Sequence, residues 1–231
     1  MFILNEYSSS EQLTQDMVNN IVTELKSAVN KRGVASIAVS GGKTPIPLFN
    51  LLSKQQLPWS KIYITLVDDR WVDSTDDASN EKLVITHLLQ NEATLANFIG
   101  LKNNAPTPFK GELATQEKLA EIPMPFDVVI LGMGEDGHTA SLFPHAENLS
   151  SGLDMHSNKV VVGMTPLTAP LDRITLTLPA ILNSQNIYLH LVGNSKKTVL
   201  AQALDGKDIV NMPIRAILQQ DKVKVVGFWC N

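Results

Sequence analysis

Hydrophobic residues are distributed along this chain in two rhythms that take turns. Short apolar runs at residues 34–39 (VASIAV), 62–67 (IYITLV), 128–131 (VVIL) and 187–192 (IYLHLV) are bounded by glycine, proline or polar residues. Between such runs, apolar residues recur every three or four positions, as at Leu13, Met17, Ile21, Val22 and Leu25. The first rhythm predicts strands buried on both faces, and the second predicts helices with one apolar stripe. The same reading predicts short strands at residues 2–4 and 160–163, an alternating strand at 173–178 and a final strand at 223–229. Further helices are predicted after Pro45 and Pro47, after Ser79 and Asn80, over 111–121, from Pro179, over 197–204 and over 213–219. Residues 100–110 and 146–158 predict irregular connections. Alternation of strand and helix throughout predicts an α/β fold with a mostly parallel central sheet covered on both faces. No repeat, low-complexity tract or linker divides the chain, so residues 1–231 are expected to form a single domain.

Four segments each follow a predicted strand and precede a predicted helix. They are residues 40–44 (SGGKT), 68–71 (DDRW), 132–141 (GMGEDGHTAS) and 193–196 (GNSK). In a parallel sheet all four open at the carboxyl edge, where such folds bind ligands. The 40–44 segment offers backbone N–H groups, a hydroxyl and a helix N-terminus, a combination suited to phosphate. It also reads as a plain strand-to-helix turn, and it lacks the P-loop spacing. Arg70 and Lys196 bring positive charge to two of the other segments, although either alone reads more readily as a surface cation or an ion-pair partner. Arg173 opens an apolar strand and is either a cleft residue or a strand-end charge.

His138 is the sharpest chemical candidate. Imidazole titrates near neutrality, so it can take a proton from water and return it to a leaving oxygen. Asp136, two residues earlier, can hold the ring in one tautomer. His87 on a helix, His156 in a polar stretch, His190 within a strand and His145 read as structural or surface residues. Ser141 lacks a G-x-S-x-G elbow. The glycines at 132, 134 and 137 do not have dinucleotide-binding spacing. Asp68 and Asp69, adjacent on an extended chain, are expected to point apart rather than act as a pair.

Composition narrows the ligand. A net charge of −4 over 231 residues disfavours a nucleic-acid surface and leaves room for an anionic small molecule held by a local cluster of donors. The apolar runs are too short to span a membrane, and the first residues lack a signal-peptide pattern. The single cysteine, Cys230, permits no internal disulfide and has no metal-ligand spacing. The expectation is a cytoplasmic protein with no membrane partner and no structural metal.

The run LGMGEDGHTASLFP at 131–144 resembles the signature of the 6-phosphogluconolactonases. SGGKTP at 40–45, DDRWV at 68–72 followed by Ser79 and Asn80, RITLTLPAI at 173–181 and GNSKK at 193–197 follow in that family's order and spacing. The resemblance covers nearly the whole chain. It implies a Rossmann-like αβα sandwich of the NagB/RpiA/CoA transferase-like class. It also implies hydrolysis of 6-phospho-D-glucono-1,5-lactone to 6-phosphogluconate in the oxidative pentose phosphate pathway. By the same resemblance His138 is the general base, with Asp136 its neighbour. Gly41, Gly42 and Thr44 form the phosphate loop, Arg70 and Lys196 are phosphate-binding cations, and Arg173 matches a family arginine. The implied enzyme uses no cofactor or metal, takes a small sugar-phosphate lactone as its partner, and is expected to be a monomer. Two residues depart from the family pattern: Asp69 stands where glutamate is more frequent, and Lys43 where small residues are.

A lactone hydrolyses without covalent catalysis, so positioning plus a base is sufficient chemistry. Loop N–H groups between Gly132 and His138 are candidate oxyanion donors. An amino-sugar phosphate deaminase on the same fold would use Asp68 for enolisation, but the arginine at 70 stands where such enzymes usually carry tyrosine. A silent sugar-phosphate sensor would keep the Gly41, Gly42 loop and need neither His138 nor Asp136.

Overall fold

The computed structural model describes residues 1–231. Along the chain, β1 (Phe2–Tyr7) leads into α1 (Ser10–Arg32), β2 (Ala35–Val39) into α2 (Ile46–Leu52), and β3 (Ile62–Leu66) into β4 (Asp68–Arg70). Next come α3 (Asn80–His87), β5 (Asn97–Ile99), α4 (Pro108–Leu119) and β6 (Phe126–Leu131). After β6 the chain forms α5 (Leu149–Leu153), β7 (Val161–Met164), β8 (Arg173–Leu176) and α6 (Leu178–Leu182). The last elements are β9 (Ser184–Val192), α7 (Asn194–Asp205), α8 (Ile214–Leu218) and β10 (Lys224–Cys230).

Seven strands make one sheet in the order β1-β10-β9-β6-β2-β3-β5, and every pairing in it is parallel. All residues of β2 and β6 are buried, as expected of strands covered on both faces. From β2 the chain moves toward β3 and β5, whereas from β6 it moves toward β9 and β10. The order therefore reverses between β2 and β6, and right-handed crossovers in opposite directions put helices on opposite faces. Accordingly α1 packs on α2 and α2 on α3, while α5, α6, α8 and α7 touch in succession. Helix α1 is set by its sequence: Leu13, Met17, Ile21 and Leu25 are fully buried along one stripe. Ser9 caps its start by accepting from the Gln12 N–H, and Gly33 ends it at φ 81°, a conformation that glycine adopts freely. No helix is long and apolar enough to cross a membrane.

The α/β class and the parallel sheet agree with the sequence expectation. Strict alternation does not hold. Strands β4, β8 and β7 form a separate three-stranded antiparallel sheet. Residues 68–71 are thus not a plain loop. The DDR triplet has no apolar residue to signal a strand, and it becomes one by pairing Asp68, Asp69 and Arg70 with Thr175, Ile174 and Arg173. Residues 146–158 contain the short helix α5, and the three-residue edge strand β5 is too brief for any periodicity.

Candidate active site

Three strand ends of the main sheet and the small sheet meet around one cleft of about 260 Å3, just below the usual size of ligand pockets (~300–1,000 Å3). It lies across the point where strand order reverses, the usual binding crevice of doubly wound sheets. Gly41, Gly42, Thr44, Arg70, His138 and Lys196 line it together, as the sequence suggested. Asp136 reaches it through His138. Arg173 is not in the lining and stands behind it, opposite Arg70 on the antiparallel pair.

The β2 loop is tied to the end of β6 by Ser40. Its N–H and Oγ both donate to the Ile130 carbonyl, at 3.1 and 2.9 Å, and its Oγ accepts the Gly132 N–H at 3.2 Å. Beyond Ser40, the N–H groups of Gly41, Gly42 and Thr44 have no partner within the chain. Gly42 adopts φ +89°, which favours glycine, and a Cβ at Gly41 would fall 1.9 Å from Oδ1 of Asn80. Close approach to Asn80 is therefore what Gly41 provides. The resulting concavity of free N–H groups suits an anion.

Arg70 is steered by α3. Its Nη1 donates to the Ala78 carbonyl at 2.6 Å and to Asn80 Oδ1 at 3.2 Å. Asn80 Nδ2 in turn donates to the Asp68 carbonyl at 2.9 Å. Asp69 lies on the other side of the strand, fully buried, and accepts the N–H groups of Arg70, Asn80 and Glu81 at 2.7, 2.7 and 3.1 Å. Burial pushes its carboxyl up to about 6 against the pull of those N–H groups. Asp68 lines the cleft instead, with its Oδ2 accepting Ser141 Oγ at 2.5 Å.

Arg173 is 7% exposed, its Nη2 donates to the Pro170 carbonyl at 3.1 Å, and its Nε and Nη1 have no partner. Burial, and after it the charge of Arg70, disfavours its cation. The six ion pairs of the chain include neither arginine. Like charges directly across an antiparallel pair repel.

The segment after β6 folds back on itself. Gly134 N–H donates to the His138 carbonyl at 2.8 Å, Thr139 Oγ1 to the Gly132 carbonyl at 2.8 Å, and Gly137 turns the chain at φ 77°. His138 Nδ1 lies 2.6 Å from Asp136 Oδ1, and its ring stacks on Phe143 with centroids 4.2 Å apart. Burial raises the Asp136 carboxyl, but the hydrogen bonds and charge of His138 outweigh it and hold the acid below its usual range. Asp136 thus stays a carboxylate, which makes Nδ1 the protonated nitrogen of the neutral ring, the form in which Nε2 carries the lone pair. The expectation that the glycines bare the oxyanion donors changes: the N–H groups of Gly132, Gly134, Gly137 and His138 are all engaged. Met133, which lines the cleft, keeps a free N–H.

Lys196 sits in the first turn of α7 rather than in a loop, because Gly193, at φ 102°, already ends the connection. No side chain caps that helix start. Lys196 Nζ is 2.7 Å from Glu135 Oε1, and that hydrogen bond lowers the Glu135 carboxyl. No group of three or more His, Cys, Asp or Glu side chains is placed to hold a metal ion. One cleft residue escaped the sequence reading. His190 lies inside an apolar strand, and its single signal was a polar residue in an otherwise hydrophobic run.

Fold and cleft together define a doubly wound α/β protein with a loop of unpaired backbone N–H groups and a histidine–aspartate pair at the switch point. The chain belongs to the glucosamine-6-phosphate isomerases/6-phosphogluconolactonase family, whose model matches residues 8–226. It is 48% identical to a 6-phosphogluconolactonase from Shewanella baltica OS155, whose crystal structure superposes with a TM-score of 0.98 over 100% of this chain and 98% of that one. It is 38% identical over 223 residues to the 6-phosphogluconolactonase of Rhizobium meliloti (strain 1021), covering 96% of each. The enzyme of that name from Caulobacter vibrioides is 39% identical over 233 residues, covering 98% of this chain and 96% of its own.

Proposed function

We propose that this chain is a 6-phosphogluconolactonase acting as one domain over residues 1–231. It hydrolyses 6-phospho-D-glucono-1,5-lactone to 6-phosphogluconate, a step of the oxidative pentose phosphate pathway. The observation that carries the chemistry is the 2.6 Å contact of His138 Nδ1 with Asp136, in a cleft also lined by the free N–H loop of Gly41, Gly42 and Thr44.

The phosphate sits on that loop, with Arg70 and Lys196 as cations and Arg173 reinforcing Arg70 from behind. Lys196 exchanges the exposed Glu135 for phosphate at small cost, since exposed pairs contribute only ~0–1 kcal/mol. With the phosphate anchored, C1 of the lactone lies near His138. Nε2 takes a proton from water as the water oxygen bonds to C1, and the carbonyl electrons move to oxygen. In this reading the Met133 N–H, free within the cleft lining, receives that oxyanion. Collapse breaks the bond from C1 to the ring oxygen, and His138 returns the proton to that oxygen. Asp136 keeps the tautomer and stabilises the imidazolium between the two transfers. The active unit in this reading is a monomer, and a phosphorylated sugar substrate supports a cytoplasmic setting.

The test is a coupled assay on freshly prepared lactone, corrected for spontaneous hydrolysis, with glucosamine-6-phosphate run beside it. Turnover of the lactone alone is expected. Turnover of the amino sugar instead would select the deaminase reading, and ligand binding without turnover would select a sensor.

A further inference from the structure

The cleft holds a second imidazole that this mechanism leaves unused. His190, two residues before the end of β9, lines the cavity and is 7% exposed. Leu189 pairs with Leu131 on β6, so His190 falls beside Gly132, and on the other side it pairs with Phe228 of β10. A Cβ at Gly132 would meet nothing within 4 Å. The strand register thus puts open space at Gly132 on one side of His190 and the buried Phe228 on the other.

Nδ1 of His190 is sealed from solvent without a partner, so Nε2 is the nitrogen that meets the cleft. A proton on Nδ1 would bury an unpaired N–H, the rarer kind of orphan. The other tautomer buries only a lone pair and turns a donor toward the cleft. Burial also pushes the imidazole down to about 4, so the ring carries no charge at neutral pH. An uncharged donor is poorly suited to phosphate, for which the cleft already has cations, and well suited to a sugar oxygen.

We propose that His190 is a substrate-binding residue whose Nε2–H donates to a hydroxyl oxygen of the sugar ring, holding C1 in register with His138. This rests on the lactonase reading, and it assigns His190 no proton transfer.

The test measures lactone turnover and competitive inhibition by 6-phosphogluconate and its 2-, 3- and 4-deoxy analogues. The proteins compared are the wild type, His190→Leu and His190→Gln. Losing one neutral hydrogen bond is expected to raise KM and the inhibition constant of H190L by about three- to ten-fold. Its kcat should stay nearer wild type, and its pH profile should be unmoved. One deoxy analogue should bind wild type and H190L alike, which identifies the hydroxyl. H190Q, which can place an amide donor near the Nε2 position, should recover part of the affinity and separates lost recognition from lost folding. The proposal is overturned if H190L binds 6-phosphogluconate as wild type does, or if all analogues weaken equally. It is also overturned if H190L loses turnover together with a limb of its pH profile. Absence of lactone turnover in the wild type would overturn the lactonase reading itself, a result distinct from all of these.

Discussion

The carboxylate of Asp136 holds His138 twice, accepting the ring Nδ1 at 2.6 Å and the backbone N–H at 3.1 Å. One residue therefore fixes both the tautomer and the position of the ring. Asp136→Asn presents an amide that can turn its donor toward Nδ1 and shift the ring proton to Nε2. The expected result is a kcat reduced by about 10²–10⁴-fold, with 6-phosphogluconate affinity preserved. Steady-state kinetics beside calorimetric binding check this, and an unchanged kcat would remove Asp136 from the mechanism.

Gly134 tests the same pair by geometry alone. A Cβ at that position would lie 2.1 Å from His138 Nδ1 and 2.6 Å from Asp136 Oδ1. Gly134→Ala must push the imidazole aside, and a displacement near 1 Å is worth about 10²-fold in rate. The proposed phosphate loop is on another strand end, so product affinity should change little. Wild-type turnover in G134A would mean that the ring need not sit where the structure has it.

Much of this site was legible because its chemistry lies in glycine-punctuated segments after apolar runs. Residues 40–44 and 132–141 announced themselves that way. Residues 68–70 did not, since a strand of two aspartates and an arginine is stabilised by tertiary pairing with β8 and by N–H groups from α3. The apolar strand pattern was equally compatible with either sheet, so the antiparallel sheet of β4, β8 and β7 was hidden. Which backbone N–H groups are free is likewise settled by distant partners, as Ser40 Oγ accepting from Gly132 illustrates.

Lys196→Ala should act on binding rather than chemistry. A charged hydrogen bond contributes about 1.5–3 kcal/mol, so KM should rise about ten- to hundred-fold while kcat holds. The wild-type KM should also climb with ionic strength more steeply than the variant's. Kinetics at low and high salt decide it, and equal affinities would place the phosphate elsewhere.

Asp69 should leave a mark on stability. Its carboxyl, ordinarily 3.8, stands at about 6 in the fold because of burial. Between those values the folded state binds more protons than the unfolded one, so stability falls as pH rises from about 4 to about 6. The full effect is about 3 kcal/mol. Asp69→Asn removes this slope, although Asn offers one acceptor oxygen to N–H groups that two oxygens now serve. Urea melts from pH 4 to pH 7 should show wild type losing stability relative to the variant. Parallel curves would mean that Asp69 does not titrate in this range.

Arg173 makes the sharpest separation between stability and function. It is buried with two unpaired donors directly across from Arg70, an arrangement that costs stability in the unliganded protein. Phosphate bound in front of Arg70 would offset the repulsion, with Arg173 adding its charge from behind the cleft wall. Arg173→Met keeps most of the packing volume and removes the charge. The unliganded variant should melt at the wild-type temperature or above it, while 6-phosphogluconate affinity falls about ten- to hundred-fold. At a ligand concentration 100 times the wild-type Kd, ligand stabilises wild type by about 2.7 kcal/mol, and a hundred-fold weaker variant by only about 0.4 kcal/mol. Thermal melts with and without 6-phosphogluconate read both quantities at once. A variant that melts lower yet keeps the full ligand shift would make Arg173 a structural residue and leave the phosphate to Arg70, Lys196 and the loop.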